Sequence, residues 1–160
     1  MRALGAAARE PGHVYLAGGA TAVLLGWRET TVDVDLKLIP DQDNVLRAIA
    51  ALKESLDLNI ELATPDDFIP VPENWRERSP FVAQEGLLTF HHFDLSAQTL
   101  AKIERGHAKD LADVREMLTR GLVDRQRLRE DFAAIEARLY QYPAIDPRAF
   151  RLALDATLSE

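Results

Sequence analysis

The chain has 160 residues, 47% hydrophobic and 28% charged, which fits a compact αβ core with a helical extension and contains no tract that argues for disorder. It has no cysteine, which excludes disulfides, thiolate zinc sites and cysteine nucleophiles, so any metal must rest on oxygen or imidazole ligands. A formal net charge of -7 excludes a basic nucleic-acid-binding field over the whole surface, and no DNA partner is expected.

Residues 1–80 carry 8 basic and 13 acidic side chains, and residues 81–160 carry 11 and 13. The positive charge is thus displaced toward the C-terminal half, where contact with RNA is conceivable. The start of the chain lacks a leader pattern, and no run of about 18 apolar residues occurs. A cytoplasmic protein without membrane contact is expected.

His13 to Ala17 is a short apolar run with β-branched and aromatic members, stopped by Gly18-Gly19, and Ala20 to Trp27 then reads as a helix. Thr31 to Ile39 alternates with period two. Val32, Val34, Leu36 and Leu38 face one way and Asp33, Asp35 and Lys37 the other, which puts both aspartates on one face of one strand. Asn44 to Leu56 reads as an amphipathic helix with Asp41 and Asp43 as candidate caps. Leu58 to Leu62 is a third strand, closed by a turn at Thr64 to Asp67.

Residues 69–80 carry Pro70, Pro72 and Pro80 and read as an irregular connection, and 81–93 as a hairpin turning at Glu85-Gly86. From Asp94 the period becomes helical: Leu95–Arg105, Ala108–Thr119 and Asp124–Tyr140, broken at Gly106 and Gly121. A last helix from Pro147 to Leu158 is capped by Asp146. The expected fold class is α/β (α+β), a small mixed sheet flanked by helices and followed by a C-terminal helical segment. An αβ core over 1–93 and a helical extension over 94–160 are expected to pack as one unit.

Phosphoryl and nucleotidyl transfer need divalent cations that bridge phosphate oxygens, and those cations take carboxylate ligands. Asp33 and Asp35, two apart on a strand, suit that task. Glycines ahead of a helix let the backbone approach a phosphate. Gly18-Gly19 lies at such a hand-over, and the Thr21 hydroxyl could join it. Each feature also has a plainer reading, as solvated edge residues, a tight turn and an ordinary helix position.

The segment LAGGATAVLLGWRETTVDVDL resembles the signature of the DNA polymerase β nucleotidyltransferase superfamily, a glycine turn followed by a D-x-D strand. Its spelling around Arg28, Thr30 or Thr31, Asp33, Asp35 and Leu36 is similar to the minimal nucleotidyltransferases of the AbiEii and MenT group, which include toxins of toxin–antitoxin systems. The resemblance implies a third carboxylate, for which Glu61 is the best match, with Asp57, Asp66 and Asp67 competing. A second block, LSAQTLAKIERGHAKDLADVREML, resembles the group's K-x-x-R…D-x-x-D segment. It implies that Lys102 neutralises triphosphate charge, while Asp110 or Asp113 holds that lysine or reaches the active site; Arg105 is read as a surface residue.

The resemblance thus implies an enzyme that uses Mg2+ or Mn2+ at Asp33, Asp35 and Glu61. It would bind a nucleoside triphosphate such as ATP through Gly18, Gly19, Thr21, Arg28, Lys102 and Asp110, and pass the nucleoside monophosphate to a hydroxyl of RNA such as tRNA, a protein or a small molecule. A cognate antitoxin is an implied partner. The alternative is a nucleotide-binding or regulatory protein that keeps the fold without turnover. His91 and His92 alternate between core and solvent, His107 is read as a surface histidine, and Trp27, Trp75 and Phe81 as packing residues.

Overall fold

The computed structural model describes residues 1–159, which divide into two units: residues 1–64 with 79–93, and residues 65–78 with 94–159. The first holds a five-stranded mixed sheet and the second is helical. This is the mixed sheet flanked by helices, with a C-terminal helical segment, that the hydrophobic periods predict.

In the first unit, helix α1 (Arg2–Ala7) precedes strand β1 (Gly12–Ala17), helix α2 (Gly18–Leu24), strand β2 (Asp33–Ile39), helix α3 (Asp43–Leu56) and strand β3 (Asn59–Glu61). The hairpin of β4 (Phe81–Glu85) and β5 (Leu88–His92) completes a sheet of order β3-β2-β1-β5-β4. β1 runs antiparallel to β2 and parallel to β5, while β2 and β3 are parallel. One sheet face supplies Val14, Leu16, Leu36, Leu38, Ile60 and Phe90 to a core closed by Leu4 of α1 and by Val45 and Ile49 of α3. Because side chains alternate along a strand, Asp33, Asp35, Asn59 and Glu61 are left on the opposite face.

Several local readings need correction. The glycine turn is compressed into the hand-over itself: Gly18, at φ 60°, and Gly19 open α2, which begins two residues earlier than the expected Ala20. α2 stops at Leu24 rather than Trp27, because Gly26 takes a left-handed conformation with φ 85° and its amide folds back onto the carbonyls of Ala22 and Val23. Neither Asp41 nor Asp43 caps α3. The capping position belongs to Gln42, whose side chain instead donates to the Glu10 carbonyl at 3.0 Å and accepts from the Arg9 amide at 3.2 Å. Phe81 is 65% exposed and is not a packing residue. α1 has no counterpart among the elements expected from the sequence.

The second unit comprises a 3-10 turn at Pro65–Asp67 with the proline-rich connection after it and, beyond the β4–β5 hairpin of the first unit, α4 (Leu95–Arg105), α5 (Ala108–Thr119), α6 (Arg125–Glu136) and α7 (Pro147–Ser159). α4 packs against α5, α6 and α7. Leu100, Ile103, Met117, Leu128, Ile135 and Leu154 are buried, and Phe132 meets Phe150 edge-on at 4.9 Å. Gly106 ends α4 at φ 69°, as expected of a residue without a Cβ, and Asp146 caps α7 by accepting from the amides of Arg148 and Ala149. The helix expected over 124–140 ends at Glu136, and a separate 3-10 turn covers Leu139–Gln141. Among the described residues no helix is long and apolar enough to cross a membrane.

Candidate active site

The two aspartates of β2 are positioned by the strand on each side. Asp35 pairs with Ala17 at the end of β1 and with Glu61 of β3, and Asp33 pairs with Asn59. Residues opposite each other in a ladder point to the same face, so Asp33, Asp35, Asn59 and Glu61 form a polar group on the side away from the core. Asp33 and Asp35 are half-buried and Glu61 is exposed.

The side chain of Asn59 links two of these carboxylates. Its Nδ2 donates to Asp33 Oδ1 at 3.3 Å and to Glu61 Oε1 at 3.1 Å. Thr31 fixes the entry to β2: its hydroxyl donates to the Asp33 carbonyl and accepts from the Asp33 amide, both at 3.1 Å.

Both glycines are required by this arrangement. Gly18 has φ 60°, and a Cβ there would run into Oδ2 of Asp35, so the start of α2 lies directly against that carboxylate. A Cβ on Gly19 would meet the Thr31 hydroxyl and lie 2.8 Å from the Asp33 carbonyl. The glycine pair and the D-x-D strand, separated by more than a dozen residues in sequence, are therefore in contact through backbone that tolerates no side chain.

Thr21 and Arg28, also expected at the site, belong to α2 and to the chain just after it. Thr21 is buried, donates its hydroxyl to the Leu16 carbonyl at 3.2 Å and lies 3.1 Å from Nδ1 of His92. Its only proton is used, so His92 Nδ1 is the donor in that second bond. Burial pushes the His92 imidazole below its ordinary pKa, consistent with a neutral ring. The Arg28 amide bonds to the Ala22 carbonyl just beyond α2. His91, the solvent-side partner of His92, is half-buried against Tyr15, with Nε2 3.1 Å from Nδ1 of His13.

Lys102, Asp110 and Asp113 come together within the second unit. The Lys102 ammonium lies 2.7 Å from Asp113 Oδ2 and 3.4 Å from Asp110 Oδ1, so both aspartates hold the lysine. Arg105, read from the sequence as a surface residue, has a half-exposed side chain but grips both oxygens of Asp110. Burial works against the charged form of Asp110, yet the Arg105 hydrogen bonds and the Lys102 charge outweigh it and hold the pKa below the usual carboxylate range. His107 is exposed.

A second ion network has no signal in the sequence reading. Arg78, from the irregular connection, pairs with Asp94 at 2.6 Å and with Asp131 at 2.6 Å, and Asp131 also accepts from Ser96. It lines a cavity of about 510 Å³ with Arg127, Arg138 and Glu130. Only a regular spacing of partners would have announced it, and Arg78 and Asp131 are 53 residues apart.

The donor chemistry of the sheet-face group suits a hard cation. Among the described residues no three His, Asp or Glu side chains are grouped to hold a metal ion. Magnesium sites that act on triphosphates use one or two carboxylates and take their other ligands from phosphates and water. Asp33 and Asp35 fit that donor set. No curated protein and no solved structure matches the chain. The family model described as "Nucleotidyltransferase of unknown function (DUF6036)" matches residues 3–153. With the match running over nearly its whole length, the chain belongs to this family of nucleotidyltransferases.

Proposed function

We propose that this nucleotidyltransferase moves a nucleoside monophosphate from a nucleoside triphosphate, ATP among the candidates, to a hydroxyl of an RNA such as tRNA, a protein or a small molecule. The observation that carries the reading is the common face of Asp33, Asp35 and Glu61 on adjacent strands, with the start of α2 packed on Asp35. Magnesium or manganese bound by Asp33 and Asp35, with Glu61 beside them, would supply charge stabilisation for the phosphates. Glu61 accepts the proton of the attacking hydroxyl. The hydroxyl oxygen bonds to the α-phosphorus, the bond from that phosphorus to the bridging oxygen breaks, and pyrophosphate leaves with the electron pair. The backbone at Gly18 and Gly19, with Arg28 close by in sequence, orients the nucleotide.

The finer reading, from the Arg28-to-Leu36 spelling, is a toxin-like enzyme of the AbiEii and MenT kind, acting in the cytoplasm and restrained by a cognate antitoxin. The test is transfer of α-labelled nucleotide to tRNA, protein or small-molecule acceptors with magnesium. Wild type should label an acceptor, and Asp35→Ala should reduce labelling by at least about a thousand-fold, as expected when a ligand of the transition-state cation is lost. Equal labelling by the variant overturns the assignment.

A second reading, nucleotide binding without turnover, draws on the lack of three grouped His, Asp or Glu side chains among the described residues. Calorimetric titration separates the two: metal-dependent triphosphate binding with no product under any acceptor favours it.

A further inference from the structure

Among the polar residues beside the proposed cation site, Asn59 is the one whose placement calls for a role. It is exposed, so packing gives it none, yet its single amide nitrogen reaches both Asp33 Oδ1 and Glu61 Oε1. Two carboxylates on adjacent strands repel each other and, left alone, splay apart. A neutral donor shared between them draws them together without supplying a charge that a cation would have to displace. It engages one oxygen of each and so constrains both carboxylates at once. Carboxylates that bind metals are themselves hydrogen-bonded, and loss of such supporting partners weakens metal affinity by about 10–100-fold.

We infer that Asn59 is a positioning residue for the cation site, setting the separation and orientation of Asp33 and Glu61 through its amide. The inference rests on the cation reading of Asp33, Asp35 and Glu61. The ladder supports it independently, because Asn59 is the register partner of Asp33 and lies two residues before Glu61 on β3, so one side chain can reach both.

The test is titration of the full chain with Mn2+ alone, following free Mn2+ by electron paramagnetic resonance, alongside thermal unfolding of the metal-free protein. Asn59→Leu keeps the shape and removes the donor. It should raise the Mn2+ Kd by about ten-fold or more while shifting Tm by no more than about 2 °C. Asn59→Ala removes the donor without an apolar addition and supplies the result should the first variant fail to fold. A Kd within two-fold of wild type in a folded variant overturns the role of Asn59, while Asp35→Ala still abolishing Mn2+ binding leaves the cation site intact. If wild type and Asp35→Ala bind Mn2+ alike, the cation reading fails and takes the role of Asn59 with it.

Discussion

Two sets of acidic side chains divide the molecule by how their charge is met. In the helical unit, Asp94, Asp110, Asp113 and Asp131 are 2–4% exposed, and each is gripped by an arginine or lysine of the same unit. On the sheet face, Asp33 and Asp35 are half-buried, Glu61 is exposed, and a neutral amide joins Asp33 to Glu61. A carboxylate taken out of water needs a counter-charge, and the helical unit carries its own. A carboxylate that keeps contact with water depends less on a neighbouring charge. The chemistry of the side chain is the same in both places; deep burial against a cation makes a brace of one set, and the other, nearer water, is the set proposed to bind the cation.

The comparison breaks most readily at Arg78. Arg78→Met leaves Asp94 and Asp131 buried without their shared cation, and should cost about 3–5 kcal/mol in denaturant unfolding. A loss below about 1 kcal/mol would remove the ion network from the architecture. Lys102→Met should cost somewhat less, about 3 kcal/mol, because Asp110 keeps Arg105. On the sheet side, Gly18→Ala forces a side chain into left-handed backbone and against Asp35, for about 1–2 kcal/mol or more of stability. Calorimetric melting of that variant checks the figure.

Acid separates the groups further. Burial lowers the folded pKa of His92 below 6.5, so below that pH the unfolded chain takes up the proton first. Stability is complete above about pH 6.5 and falls as pH drops toward the folded value. Melting curves from pH 8 to 5 should show that decline, and His92→Gln should flatten it. Below about pH 4, Asp110 and Asp131, whose pKa values the cations depress, lose their contribution in turn. Asp94 runs the other way, because burial raises its pKa and acidification eases that strain. The smallest effect belongs to Arg120→Ala. Its pair with Glu116 is exposed on both sides, and its loss should stay within about 0.5 kcal/mol in the same unfolding experiment.

The period of apolar residues made the elements legible. α4 and α5 have the bounds that Gly106, Gly121 and the helical spacing indicate, and the alternation in β2 places both aspartates on the face away from the core. What depends on distant partners was not legible. Gln42 holds residues 9 and 10 instead of capping its own helix, and Arg78 finds Asp131 from a stretch with no regular spacing at all. The contact of Gly18 with Asp35 falls between: the order of motifs suggested adjacency, but only the antiparallel pairing of Ala17 with Asp35 supplies the distance. Asn59 carried no signal, since an asparagine beside a turn has many local explanations.

The strand bearing Glu61 has three residues and a neighbour on one side only, whereas β2 is flanked on both. Short edge strands open by local fluctuation at a fraction of the global unfolding cost, so the amides of Asn59 to Glu61 should take up deuterium well before those of β1. In the proposed reaction this divides the labour of the site by rigidity. The aspartates proposed to bind the cation ride on the anchored strand, and the carboxylate proposed to face the acceptor rides on the less protected one, tied back to Asp33 through the Asn59 amide.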